Sequence, residues 1–214
     1  MRMSNREFWE EIWGNNQVVS GYHSYKIAKC TKSRILDMGC ENLCNSHLPE
    51  KSRYFIGIDI ALTALKQAKS SIKKTKLVVG SALNLPFPDN TFDESFSFET
   101  ISLLGHNWYR ALEEMKRVTK KRVSFTLTHR DIMCTRNPST SHEQKDGYTF
   151  LPGSELERAC FTEADVDKAL MRLQLIPEDI RVFTKGELTR DYSVWKAVSE
   201  YPDTKEKIYV TARK

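Results

Sequence analysis

Long apolar runs are missing from this chain. No stretch approaches the roughly 18 consecutive apolar residues of a membrane span, and the opening MRMSNREFWEEIW lacks the apolar centre of a signal peptide. Cysteine is sparse and odd in number, with five residues at 30, 40, 44, 134 and 160. Such a set makes no disulfide framework, so reduced thiols in a cytoplasmic protein are the expectation. Cys40, Cys44 and His47 form a C-x3-C-x2-H set, but the second pair that usually closes a structural zinc site is absent, and no metal is expected. Charge of one sign does not dominate. A net +5 permits an anionic partner without implying one. Lys66, Lys69, Lys73 and Lys74 line one side of a helical stretch with no aromatic residues interleaved for base stacking. A solvated face is expected there, and neither nucleic acid nor a membrane is an expected partner. No internal repeat or second domain is visible.

The chain has 214 residues, 40% of them hydrophobic and 29% charged, which suits one soluble α/β domain. It is organised around residues 34–61, RILDMGCENLCNSHLPEKSRYFIGIDIA. Ile35-Leu36 lead an apolar strand into a turn through Asp37, Gly39 and Cys40, and Tyr54–Ile58 form a second strand ending at Asp59. Parallel strands that carry a ligand beyond their carboxyl ends need this grammar: a Gly for close backbone approach and an acid about 20 residues on for a ribose. Asp59 stands at that distance from Asp37.

Three segments in order, ILDMGC, GIDIA and VVGSALNLPFPDNTFD, make the chain resemble the class I S-adenosylmethionine-dependent methyltransferases, most closely the small-molecule branch that includes quinone-biosynthesis enzymes. The resemblance implies a Rossmann-like seven-stranded, mostly parallel sheet with helices on both faces and a reversed C-terminal strand. It also implies S-adenosylmethionine as cofactor and a small-molecule acceptor. Carried over residue by residue, it points to Asp37, Gly39, Cys40, Glu41, Asp59, Ile60, Ser81, Ala82, Leu83, Glu99 and Thr100 around the cofactor. Two of the family's three turn glycines are replaced in Asp37-Met38-Gly39-Cys40-Glu41-Asn42-Leu43, and Asn42 is the residue best able to adopt a glycine-like backbone. Glu41 is a candidate ligand contact. Cys40, where the family commonly has a small residue, reads as packing. Ser81 stands where an adenine-binding Asp is common, leaving the backbone of Ala82 and Leu83 to read the adenine edge.

The remaining elements follow in order. Phe8, Trp9, Ile12 and Trp13 make an aromatic stripe on an N-terminal helical cap (residues 1–32), which either covers the core or closes over the ligand, with Tyr22, His23 and Tyr25 as further pocket candidates. The cofactor core spans 33–128: a helix over Leu62–Lys74, strands at Leu77–Val79 and Phe92–Phe98, a helix over Trp108–Val118 and a strand over Arg122–His129. Residues 129–160 read as a loop, a candidate substrate lid with Arg136, His142 and Tyr148 as its polar groups. Residues 161–214 supply a helix opened by Thr162 and Asp165 and two strands, Ile180–Phe183 and Lys207–Ala212. Glu99 and His106 are the candidates for a catalytic group, His106 because an imidazole suits proton removal near neutrality. Two functional readings stand ahead of a third, an RNA-binding methyltransferase that rests on the basic charge and the lysine runs. The first is an active methyltransferase. The second is a methyltransferase-like protein that has lost catalysis and serves as a binding or regulatory partner of another protein. The lost glycines, Ser81 and the absence of the family's Pro-Gly-Gly before the fifth strand favour the second. Asp59 and LPFPDNTFD favour the first, on the expectation that packing alone requires neither.

Overall fold

Two parallel strands, buried on both faces, set the architecture. In the computed structural model, which describes residues 4–15, 33–43, 48–71, 75–131, 143–145, 148–151, 158–184 and 205–214, β1 (Arg34–Met38) pairs with β2 (Tyr54–Asp59), Leu36 opposite Ile56 and Asp37 opposite Gly57. Side chains alternate along a strand. Leu36, Met38, Ile56 and Ile58 therefore enter one apolar cluster, and Ile35 and Phe55 enter another. A parallel sheet apolar on both faces needs cover on both.

β3 (Lys76–Val79) extends the sheet beyond β2, while β4 (Phe92–Ser97) and β5 (Thr119–Thr128) extend it beyond β1, all in parallel. The direction of winding reverses between β3 and β4, and right-handed crossovers then send the later helices to the opposite face. After α1 (Asn5–Gly14) and the single-turn α2 (Leu48–Lys51), α3 (Leu62–Ser71) places Leu65 and Ala68 in the cluster with Ile35. α4 (Trp108–Val118) and α5 (Glu163–Arg172) place Ala111, Met115, Val166 and Leu170 in the cluster with Leu36. Three short strands, β6 (Glu143–Lys145), β7 (Tyr148–Leu151) and β8 (Arg158–Cys160), form a separate antiparallel sheet. β9 (Ile176–Thr184) and β10 (Lys205–Arg213) complete the main sheet in the order β3-β2-β1-β4-β5-β10-β9, with β10 antiparallel to both neighbours. This is the seven-stranded, mostly parallel sheet with a reversed final strand that the sequence leads one to expect.

The differences have local causes. β5 begins at Thr119, directly after α4, because the Thr119 hydroxyl bonds the Met115 carbonyl and pairs with the Ser95 hydroxyl at 2.6 Å, so no glycine turn is used. β9 starts at Ile176 and includes Pro177, Glu178 and Asp179, residues tolerated because it is an edge strand. Within 129–160, where irregular chain is expected, lie the three strands of the small sheet, and β8 leads to the parallel bridge between His129 and Phe161. Tyr22, His23, Tyr25, Cys44, His47, Lys73, Lys74, Arg136 and His142 lie outside the described residues, and of Tyr148 only the strand backbone is described.

Candidate functional site

The turn after β1 keeps a glycine-rich shape with one glycine. Gly39 has φ 74°, and a Cβ there would sit 2.0 Å from the Thr100 Oγ1, so backbone conformation and space both demand Gly. The N–H groups of Gly39 and Cys40 donate to the Ile58 carbonyl at 2.8 and 3.1 Å, binding the turn to the end of β2. Glu41 (φ 51°) and Leu43 (φ 56°) occupy the two positions where the family that the sequence resembles has its other glycines, and both hold left-handed backbone. Asn42 does not take that part, contrary to expectation; its amide donates to Gln67 Oε1 at 3.4 Å. Propensity is overridden by tertiary contacts. The Glu41 N–H donates to Asp59 Oδ2 at 3.0 Å, and the Leu43 side chain is buried beside Ile35 and Phe55. Holding two non-glycine residues in this region costs about 1–2 kcal/mol each.

Asp59 therefore has scaffold duties. Its Oδ1 accepts from the Ala61 N–H at 2.9 Å, and burial pushes its carboxyl up against the pull of these backbone bonds. A carboxylate offers about four acceptor positions, so these backbone bonds leave it capacity for ligand hydroxyls.

Beyond the carboxyl ends of β1, β2 and β4 opens a cleft of roughly 700 Å³, its mouth included. Of the residues picked out in sequence, Gly39, Glu41, Asp59, Ile60, Ser81, Ala82, Leu83, Glu99 and Thr100 line it together. Asp37 and Cys40 do not; both are buried beneath the turn. Cys40 packs under Gly57, where an added Cβ would come within 2.7 Å of its sulfur, and burial with the nearby Asp59, Asp37 and Glu41 carboxylates pushes its thiol well up. His106 is exposed and stands outside the lining.

Trp9, Trp13, Leu103 and Leu104 line the cleft without having been singled out as ligand contacts from sequence. The signal for the tryptophans was the aromatic stripe. α1 docks by its own chemistry: Glu10 accepts from the Leu62 and Thr63 N–H groups at 2.7 and 3.0 Å, satisfying first-turn donors of α3, while Trp13 packs on Ala61 and Ala64. The stripe thus packs on the core side and walls the cleft at once.

At the carboxyl end of β4, Glu99 also has positive φ, 61°. Its N–H donates to Thr126 Oγ1 at 2.8 Å, and its carboxylate is paired with Lys207 of β10. Across the cleft, Ser81 Oγ accepts from the Leu83 N–H at 3.2 Å and the Leu83 carbonyl accepts from Arg110 at 3.3 Å. Both backbone groups of Leu83 are thus engaged within the chain.

The LPFPDN segment proves to be scaffold, against the expectation that packing does not need it. Arg117 on α4 donates to the carbonyls of Leu85 and Phe87 at 3.0 and 2.8 Å and to Asp89 at 2.8 Å, and pairs with the buried Glu114, which in turn accepts from the Leu85 N–H at 2.7 Å. Among the described residues no group of three His, Cys, Asp or Glu side chains could hold a metal ion, and no helix is long and apolar enough to cross a membrane.

The strand order, with a cleft at the strands' carboxyl ends, is that of a Rossmann-like fold. Residues 36–127, less than half of the chain, match the family model described as a methyltransferase domain, and solved methyltransferases share the fold. An S-adenosylmethionine-dependent methyltransferase from Mesorhizobium loti is 16% identical, covering 88% of this chain and 94% of its own with a TM-score of 0.67. A Methanosarcina mazei counterpart is 17% identical, with coverages of 92% and 98% and a TM-score of 0.65. The Burkholderia thailandensis 1,6-didemethyltoxoflavin-N1-methyltransferase, solved with 1,6-didemethyltoxoflavin and S-adenosylhomocysteine bound, is 11% identical, with coverages of 98% and 86% and a TM-score of 0.69. No curated protein matches the chain by sequence.

Proposed function

We propose that this protein transfers a methyl group from S-adenosylmethionine to a small-molecule acceptor. One observation carries the reading: the turn that has lost two glycines still holds left-handed backbone at Gly39, Glu41 and Leu43 and still frames an open cleft with Asp59. Asp59 receives the ribose hydroxyls on its remaining acceptor positions. The Ser81 hydroxyl and the backbone of Ala82 frame the adenine, since Leu83 is engaged within the chain. Gly39 and Glu41 face the amino-acid end. When bound, the cofactor supplies an electrophilic methyl, so the chain need only align the acceptor, exclude water and in some cases accept a proton.

The acceptor chemistry follows from the wall. Trp9, Trp13, Leu103 and Leu104 give an apolar side, and no Lys or Arg is among the described residues lining the cleft, which disfavours a polyanionic substrate. Among methyltransferases, LPFPDNTFD supports the small-molecule, quinone-biosynthesis-like branch. Glu99, a wall carboxylate paired with Lys207, is our candidate for contact with the acceptor, and His106, exposed and outside the lining, is the weaker candidate for its base. The alternative, a protein without catalysis that binds a protein partner, gains from the scaffold roles of Asp59 and LPFPDN, since neither residue set needs a ligand to account for it. Incubation with methyl-labelled S-adenosylmethionine and a panel of aromatic and apolar small molecules decides between them. Label transfer to any acceptor supports the enzyme. Tight cofactor binding with no transfer across the panel supports the partner reading.

A further inference from the structure

Glu41 is the cleft residue whose side chain the fold gives no task. Its backbone is fixed through Asp59, and its carboxylate lies on the cleft wall without a hydrogen-bond donor among the described residues. Its surroundings are lopsided in charge. Asp37 on β1, Asp59 on β2 and Glu99 beyond β4 act on it, with the Cys40 thiol next in the chain. The opposing cation is Lys207 on β10, already paired with Glu99. A cleft with low-dielectric walls and an excess of one charge focuses the field and concentrates the opposite charge.

A sulfonium donor changes charge in the course of its reaction. The methyl–sulfur bond breaks and its electron pair stays on sulfur, giving a neutral thioether. The methyl carbon bonds to the acceptor's nucleophilic atom, whose proton passes to solvent. The ligand therefore leaves with one positive charge fewer than it brought in. Glu41 stands at a position where glycine would meet every backbone requirement, so its carboxylate adds charge and nothing the turn needs.

We propose that Glu41 is a charge-selecting residue, holding the sulfonium donor in preference to the neutral thioether product and so limiting product inhibition. The inference rests on the reading of the cleft as an S-adenosylmethionine site. Burial, then the Asp59, Glu99 and Asp37 carboxylates, push the Glu41 carboxyl well above the usual carboxylate range. Donor binding favours its ionised form and expels a proton. The donor's advantage over the product grows as pH rises from the ordinary carboxylate range through the raised value.

The test is calorimetry with S-adenosylmethionine and S-adenosylhomocysteine, in buffers of different ionisation enthalpy, on the wild type, Glu41→Gln and Glu41→Gly. The wild type should release more protons on binding S-adenosylmethionine than on binding S-adenosylhomocysteine, and both variants should lose that difference. The preference for the charged ligand should fall about tenfold in the variants. Glu41→Gly suits the positive φ and serves where Glu41→Gln folds poorly. An unchanged preference in both variants, or equal proton release for the two ligands, overturns the charge-selecting role. A folded wild type that binds neither ligand overturns the cofactor reading itself, a failure visible before any variant is made.

Discussion

The turn at 39–43 and the segment at 85–90 differ in opposite ways from what their sequences advertise. LPFPDN keeps the letters of the family that the sequence resembles, yet in the fold it is a strap held to α4 by Arg117 and Glu114. The turn loses the family's letters at 41 and 43, yet its backbone keeps the left-handed form that glycines would give. A resemblance read from sequence is thus strongest where side-chain hydrogen bonds require particular residues. It is weakest where the requirement is a backbone shape that tertiary contacts can impose on other residues.

Breaking the strap should have the larger effect on stability. Arg117→Met leaves the buried Glu114 without its main partner, a loss of about 3–5 kcal/mol, read as a fall in the denaturation midpoint. The cofactor affinity of the protein that remains folded should change little. Gly39→Ala adds a Cβ 2.0 Å from Thr100 Oγ1 at a positive φ. It should cost about 2–3 kcal/mol by strain and overpacking and, unlike Arg117→Met, abolish measurable cofactor binding.

The turn can also be relaxed. Glu41→Gly should stabilise the unliganded protein by about 1 kcal/mol, measured by chemical denaturation. That gain should grow with pH. A carboxyl whose folded pKa is raised supports folding best at acid pH and loses that support as pH rises through the raised value. The smallest effect lies far from both regions. Glu163 is held down to about 2, first by Lys205 and also by its own backbone and by His129. A depressed carboxyl adds stability above its unfolded value that is lost as pH falls toward about 2. The group is part-exposed, so Glu163→Gln should cost no more than about 1 kcal/mol at neutral pH and flatten the acid limb of the stability curve.

Much of the frame is legible in the residues because local and tertiary demands agree there. The apolar alternation of β1 and β2, the Trp108–Val118 stripe and the Thr162–Asp165 capping box each state their element directly. Thr119–Lys121 does not, because the strand start depends on Thr119 reaching Met115 and Ser95, a contact with no periodic signature. β9 is hidden by Pro177 and two acids that only an edge strand accepts. At the site, Gly39, Asp59 and Ser81–Leu83 are visible from spacing and resemblance. The left-handed Glu41 and Leu43 are not, since residue preference points to Asn42 and the deciding bond comes from Asp59 in the next strand. Trp9 and Trp13 read as a helix stripe, but which ligand face they wall depends on Glu10 seating α1 on α3.

The most direct test is calorimetric titration of S-adenosylmethionine into the wild type and Asp59→Ala. If the turn has kept a working cofactor geometry without its glycines, the wild type binds with a dissociation constant of about 1 μM, roughly −8 kcal/mol, and the variant shows no measurable heat. Absence of binding to a cooperatively folded wild type would contradict the account. It would show that the backbone shape at 39–43 has outlived its ligand.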